Sequence, residues 1–494
     1  MIDTQKIKSK ILDLAICGQL TDRVEGEETG EEVISQIRKE REESAVKTKS
    51  RSHAAVPLNI AENNPPFELP FGWDWVSLET IGADVPNAFA DGPFGSNLKK
   101  EHYTSEKQVR IIQLSNVGID GWKDSNEKYT TYEHLATIQR SEVKAGNIVI
   151  AKMMPAGRAI IVPHNVADAF VLSSDCVKFV PYPLLNAQYL CYAINSKWFH
   201  DQVLQDVHGI GRERTSLSNL KSYYLPIPSL GEQARIVAVM NKVSHILNDI
   251  DLLQSQYADN LIVLKSKLID AAIQGKLTEQ LPEDGTAEEL YQQILEEKQA
   301  LIREGKIKKE KPLPEIKEDE IPFEIPVNWK WVRWGDLSES IQYGYNAPAK
   351  DSGRIKMLRI SDIQNGRVLW DSVPYCEISE KDIPTYLLSA NDILFARTGG
   401  TVGKSYLVKN VPENTIYAGY LIRTRYSANL CPEYMKHFME SKLYWKQLQY
   451  GTTATAQPNC NGKTLSRMII PLPPLAEQRR IVARLDQALA MIEV

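Results

Sequence analysis

The chain has 494 residues, 58 Lys plus Arg against 63 Asp plus Glu, and 43% apolar residues, the composition of a water-soluble protein of two or three domains. That apolar content excludes a mostly disordered chain, and the lack of any run of about 18 uncharged apolar residues excludes a membrane-spanning helix. Six cysteines without a CxxC pair and eight histidines without an HxxxH pair indicate neither a zinc site nor a disulfide framework, and the opening MIDTQKIKSK is too polar for a signal peptide, so a reducing, cytoplasmic setting is expected.

Residues 1–21 carry Ile7, Ile11 and Leu14 at helical spacing and stop at Gly18, a left-handed cap position. Residues 22–65 read as a charged helix over 31–43 followed by a linker. The segment 66–228 opens with Trp73 and Trp75 and continues as short β-rich runs (109–114, 147–151), with one helix expected near 186–205. In the segment 229–280, apolar residues from Ile236 fall at Val239, Val243, Ile246, Ile250, Leu253 and Tyr257, a coiled-coil seam whose seven-residue rhythm breaks by one four-residue step before Leu264. About 45 helical residues at about 1.5 Å each make a spacer of about 65 to 70 Å. A charged helix over 287–304 and a Lys, Glu and Pro-rich linker fill 281–321. The segment 322–473 repeats the first domain's pattern, with Trp329 and Trp331, runs at 356–360 and 392–396, and a helix near 431–450. Residues 474–494 then begin another helix containing Ile481 and Leu485.

Three long self-matches impose order on these parts. PIPSLGEQARIVA (226–238) and PLPPLAEQRRIVA (471–483) share nine of thirteen residues at an offset of 245. KILDLAICGQLT (10–21) matches KLIDAAIQGKLT (267–278) at 257, and PFELPFGWDWV (66–76) matches PFEIPVNWKWV (322–332) at 256. The C-terminal and N-terminal segments together therefore make nearly one full copy of the central segment. The expected fold is mixed α/β (α+β), with two repeated globular domains joined by long antiparallel coiled-coil helices in a pseudo-twofold, cyclic arrangement. Residues 84–224 carry a balance of +1 and 335–470 of +4, so the acidity lies on helices and linkers and both domains are free to present basic faces.

Two catalytic strings are set aside. Asn64-Pro65-Pro66-Phe67 spells the tetrapeptide with which amino-methyltransferases hold a flipped adenine, but its repeat is Glu320-Ile321-Pro322-Phe323 and no glycine-rich cofactor loop precedes it. GGTVGKS at 399–405 is a near-miss of a phosphate-binding loop, with Thr398 where the first Gly belongs, and it is expected to form a tight turn carrying Arg397 and Lys404.

The two Pro-x-Pro-x-Leu-x-Glu-Gln motifs (226–233 and 471–478), the strand motif at 391–397, the GPFGSNLK loop at 92–99 and the Gly-Lys-Leu-Thr helix end together resemble the specificity subunit of type I restriction-modification systems, over essentially the whole chain. The first domain departs from the strand motif, with Lys152-Met153-Met154-Pro155 in place of Arg397-Thr398-Gly399-Gly400. The resemblance implies two target-recognition domains (66–228 and 322–473) that read the halves of an asymmetric, split sequence in double-stranded DNA. It further implies helices that bind two methylation subunits, a place for restriction subunits, no catalytic site in this chain, and S-adenosylmethionine held by the partner methylation subunit. The doubled LxEQ helix start is expected to offer the two docking surfaces. The helical contacts are assigned to Ile236, Val243, Ile250, Tyr257 and Leu264 against Ile481, Leu485, Ile7, Ile11 and Leu14. DNA contacts are assigned to Ser96, Asn97, Lys99, Lys100, Arg158, Arg212 and Arg214 in the first domain, and to Tyr343, Tyr345, Asn346, Arg397, Lys404, Thr452, Thr453 and Gln457 in the second. These lie in polar or glycine-rich loops, where Arg and Lys reach phosphates or guanine and Asn and Gln reach adenine. The rival readings are a protein-protein adaptor built on the same helices and a self-contained adenine methyltransferase around Asn64.

Overall fold

The computed structural model describes residues 1–48, 67–206, 214–364, 366–451 and 460–492. It divides into two compact units, Met1–Ser255 and Gln256–Val494. One helix of 44 residues, Leu230–Ile273, contributes its first part to the first unit and its second part to the other. The six cysteines are free thiols.

In the first unit the helix Thr4–Ile16 runs antiparallel to the start of the central helix. Near its beginning the Thr4 hydroxyl donates to Asp251 at 2.7 Å, and beyond its end Thr21 donates to Glu232 at 3.1 Å. Leu12, Ala15 and Ile16 pack into one core with Ile236 and Met240. In the second unit the helix Leu475–Ile492 places Ile481 and Leu485 in a core with Ile269, Ala272 and Ile273 of the central helix.

The assigned seam requires a correction. Ile236, Ile481 and Leu485 are buried and Val243, Ile250 and Ile11 are half-buried, but Tyr257, Leu264, Ile7 and Leu14 are exposed, by 62%, 45%, 38% and 42%. In the first part of the central helix the packed stripe runs through Ile236, Met240 and Leu247, one residue away from the apolar stripe through Val239 and Ile246. Both stripes have steps of three and four, so periodicity alone does not choose between them. The polar contact of Thr4 with Asp251 lies where the assigned seam continues through Leu253, which is 62% exposed.

Each unit carries a domain built on the same four-stranded antiparallel sheet. In the first, its order is Ala159–Ile161, Ile148–Ala151, Cys176–Phe179, Phe89–Asp91. In the second, it is Ser405–Leu407, Ile393–Ala396, Leu421–Tyr426, Ser338–Tyr343. A further sheet in each domain contains one parallel pair, Val109–Ile112 with Phe170–Leu172 and Ile355–Leu358 with Thr415–Tyr417. The Trp-containing strand closes each domain by pairing with the Pro-x-Pro strand, Asp74–Ser77 with Tyr224–Ile227 and Lys330–Arg333 with Ile469–Leu472. The single helix expected before each Pro-x-Pro strand is two helices, Ala187–Ile194 with Lys197–Gln205 and Pro432–Phe438 with Lys442–Gly451. The break falls at Ser196 and Ser441, whose hydroxyls accept from the Phe199 and Tyr444 amides and so restart the helix.

The repeated motif is an internal clamp rather than a docking surface. Glu232 accepts from the Trp73 indole at 3.0 Å, and Glu477 accepts from the Trp329 indole at 2.8 Å. Gln233 and Gln478 accept from the Asn186 and Cys431 amides and donate to the Pro228 and Pro473 carbonyls. Tyr189 and Tyr434 donate to the Pro226 and Pro471 carbonyls. All four Glu and Gln side chains are buried, so they lock each domain to its helix pair and present nothing to a partner. Just outside the clamp, Arg235 hydrogen-bonds Glu27 and, with Ser229, holds that carboxyl down at about 2. Arg480 and Asp284 form the matching pair in the second unit.

Gly18 and Gly275 end the paired helices at φ +69° and +72°, and a Cβ at either would lie 2.3 or 2.4 Å from a ring carbon of Pro70 or Pro326. Gly275→Ala is therefore expected to cost at least about 1 kcal/mol, a lowered urea midpoint for the second unit, whereas Gly26→Ala, at φ +88° in open space, bears only the backbone part.

Candidate nucleic-acid interface

Strand register brings distant residues to one end of each four-stranded sheet. In the first domain, Ala151 pairs with Cys176 and Val177 with Asp91, so the segments leaving Asp91, leaving Ala151 and entering Cys176 emerge together. In the second, Ala396 pairs with Leu421 and Ile422 with Tyr343, which gathers the segments leaving Tyr343, leaving Ala396 and entering Leu421. The two ends are topologically equivalent. A strand that stops frees its side chains and backbone beyond the last rung, which makes this the place for recognition loops.

In the first domain, Lys152 forms an ion pair with Asp91, and its backbone NH donates to the Asp175 carbonyl at 2.8 Å. The segment after Asp91 is the GPFGSN turn. Ser96 and Asn97 are exposed at its tip, with Phe94, itself 75% exposed. His134 Nε2 donates to the Asn97 carbonyl at 2.8 Å, and the Lys99 amide donates to His102 Nδ1 at 3.0 Å. The two imidazoles stack with centroids 4.1 Å apart and so brace the run that carries Lys99 and Lys100, both exposed. Arg158 is half-buried at the close of the 152–158 turn. The turn backs onto His200, whose burial pushes its pKa below the ordinary value. Arg214 is exposed and bridges to Met153, while the Thr215 amide donates to the Lys152 carbonyl at 2.9 Å. Arg212 lies outside the described residues.

In the second domain, the Arg397 guanidinium sits over the Tyr343 ring, 4.7 Å from its centroid. The Arg397 amide donates to the Tyr420 carbonyl at 3.2 Å, and the Tyr343 hydroxyl accepts from the Gly462 amide at 3.1 Å. Lys404, exposed, faces Ala396 through its carbonyl at 2.9 Å and so belongs to the same end. Tyr345 is half-buried, with its ring 5.2 Å from that of Tyr386, and Asn346 beside it is exposed. Thr452, Thr453 and Gln457 lie outside the described residues. The glycines of GGTVGKS form a short turn with Gly403 packed on Trp445, and a strand follows where a phosphate-binding loop needs a helix. Asn64, Pro65 and Pro66 lie outside the described residues, and the Phe67 ring is engaged by Trp75, 5.1 Å away. Phe323 and Trp331 repeat that contact at 5.1 Å.

Asp91, Lys152 and Tyr420 were not among the assigned contacts, although they stand at the centre of these sheet ends. Lys152 is the repeat counterpart of Arg397, the one signal that could have found it. Tyr420, 65% exposed, carries no mark in the sequence that separates it from the many core tyrosines.

Duplicated α/β domains with unlike residues at one equivalent sheet end, locked to a shared helix, define a two-headed recognition chain. Residues 99–254 and 326–494 match the type I restriction modification DNA specificity domain, and the chain belongs to that family. It is similar to the type I restriction enzyme EcoEI specificity subunit of Escherichia coli, 26% identical over 98% of this chain and 88% of that one. The EcoAI specificity subunit of Escherichia coli is 25% identical with the same coverage. A solved chain from work on complex assembly and conformational transition of the type I R-M system has the same fold, at a TM-score of 0.55 and 18% identity over 87% of this chain and 93% of that one.

Proposed function

We propose that this chain is the DNA-recognition subunit of a type I restriction-modification complex, each domain reading one half of an asymmetric, bipartite target in double-stranded DNA. The observation that carries the reading is the equivalence of the two sheet ends together with their unlike chemistry, an internally paired Lys152 in one and Arg397 over Tyr343 in the other. Equal scaffolds bring unlike side chains to the same place, and unlike side chains read unlike bases. The central helix, 44 residues or about 66 Å, serves as the spacer, with half-sites about one duplex turn apart.

On this reading the chain performs no chemistry. Two methylation subunits dock on it and hold S-adenosylmethionine, the assembly is open to restriction subunits without requiring them, and the complex works in the cytoplasm where the DNA is. Apolar side chains left exposed on the central helix, including Leu253, Tyr257, Ile262 and Leu264, support docking along that helix rather than at the buried LxEQ motif. Among the described residues no helix is long and apolar enough to cross a membrane.

Duplex binding by the chain with its methylation subunit, titrated against salt, tests the proposal. Log affinity is expected to fall linearly with log salt, with one unlabelled duplex sequence competing far better than the rest. An adaptor would show neither behaviour, and tight S-adenosylmethionine binding by this chain alone would favour the methyltransferase alternative.

A further inference from the structure

The second domain has three arginines in or next to its four-stranded sheet, and their environments separate them. Arg425 is neutralised by Asp392 at 2.8 Å. Arg423 is buried, donates to the Leu387 and Thr385 carbonyls, and lies 3.7 Å from the same carboxylate. Arg397 has neither kind of partner. No carboxylate pairs with it among the described residues and its side chain donates no hydrogen bond there; its Nε is buried without an acceptor, as is that of Arg423, so the difference lies in the terminal nitrogens.

The terminal nitrogens of half-buried Arg397 therefore have no partner among the described residues and are open to an incoming acceptor. The guanidinium carbon is nevertheless placed, because it lies 4.7 Å from the Tyr343 ring centroid and the Tyr343 hydroxyl is itself tied to the Gly462 amide. A cation–ring contact of this kind narrows the positions of the planar fork before binding, so less rotamer freedom remains to be lost. The equivalent position in the first domain is the counter-example: Lys152 is satisfied by Asp91, a residue that register places where the second domain has Tyr343. The sheet end where no carboxylate pairs with the cation among the described residues is thus the one whose cation is a flat, bidentate donor. A flat bidentate donor matches two adjacent acceptors in one plane, which in the major groove are O6 and N7 of guanine. A phosphate needs no such pre-ordering, and exposed Lys404 at the same sheet end already supplies a point charge for one.

We infer that Arg397, oriented by Tyr343, is the specificity-determining residue that reads a guanine in the half-site of the second domain. This rests on the DNA-recognition reading above.

The test is methylation of a duplex library randomised across the target by the full complex, with wild-type chain and with Arg397→Ala, Arg397→Gln, Arg397→Lys and Tyr343→Leu. Wild type is expected to show a fixed G·C pair at one position of one half-site. Arg397→Ala and Arg397→Gln should lose about 5- to 150-fold of discrimination at that pair only, with the other half-site unchanged. Arg397→Lys should keep a weaker guanine preference, and Tyr343→Leu should relax the same position in part. An unchanged motif in Arg397→Ala overturns the inference. So does a uniform loss across all sequences with a salt slope reduced by about one, the signature of a phosphate contact. Loss of all methylation in every Arg397 variant likewise overturns it in favour of a structural role. If wild type itself selects no bipartite motif, the recognition reading fails instead, and the two failures are distinct.

Discussion

Inserting four residues into the central helix beside Leu253 is expected to lengthen the unread gap in the target by one or two base pairs and to leave both half-sequences as they were. Four residues are close to one helical turn, so they add about 6 Å along the axis and rotate the far side by only about 40°. A base pair occupies about 3.4 Å, which converts that length into one or two steps of the duplex. The insertion point lies in a stretch where Leu252, Leu253 and Tyr257 are all exposed, so no buried contact within either unit is cut. Base-modification sequencing of cells carrying the insertion variant reads both quantities at once. An unchanged gap would mean that something other than this helix spaces the domains, and an altered half-sequence would mean that the domains do not read independently.

The second large effect concerns the clamp. Glu477→Ala is expected to cost the second unit about 3 kcal/mol, and Glu232→Ala the first unit about as much. The Glu477 carboxylate is fully buried and accepts from Trp329 at 2.8 Å, Gln280 at 3.0 Å and Thr278 at 3.2 Å. Truncation strands the buried Trp329 indole, while half-buried Thr278 and exposed Gln280 can turn to water, and a buried donor left unmade together with the cavity left by the side chain costs about 3 kcal/mol. Glutamine at the same position keeps the volume and one acceptor and should cost less. Urea unfolding followed by tryptophan fluorescence checks this, read as two transitions because the chain has two units. A shift of both transitions by either single variant would show that the clamps are not local to their units.

The helices were legible in the sequence because their signals are local. Steps of three and four define the central helix, and Gly18 and Gly275 end the paired segments at positive φ as expected. The packed face was not legible, since Met240 and Leu247 compete with Val239 and Ile246 at the same spacing and only the partner decides. Nor was the break at Ser196, because apolar spacing continues across it while a single hydroxyl restarts the helix.

The domain pairing was plain from the repeats, but the candidate site is assembled by strand register between residues far apart in sequence. Arg397 could be picked as a loop arginine. That it lies over Tyr343 and beside Tyr420, with no carboxylate partner among the described residues, depends on which strands are neighbours, and no spacing encodes that. Lys152 is hidden for the complementary reason: in a turn whose repeat copy differs, nothing in the sequence ties it to Asp91, 61 residues away. The LxEQ motif misled in the opposite direction. Its repetition signalled importance, and a helix start suggested an exposed surface, yet the importance lies in hydrogen bonds made inside each unit.

The most direct test of the central claim is genome-wide sequencing of modified bases in a host that expresses this chain with its methylation subunit. One methylated motif is expected, made of two short, unlike sequences separated by a fixed number of unspecified base pairs. A continuous motif, a palindrome, or methylation that ignores this chain's presence would contradict it.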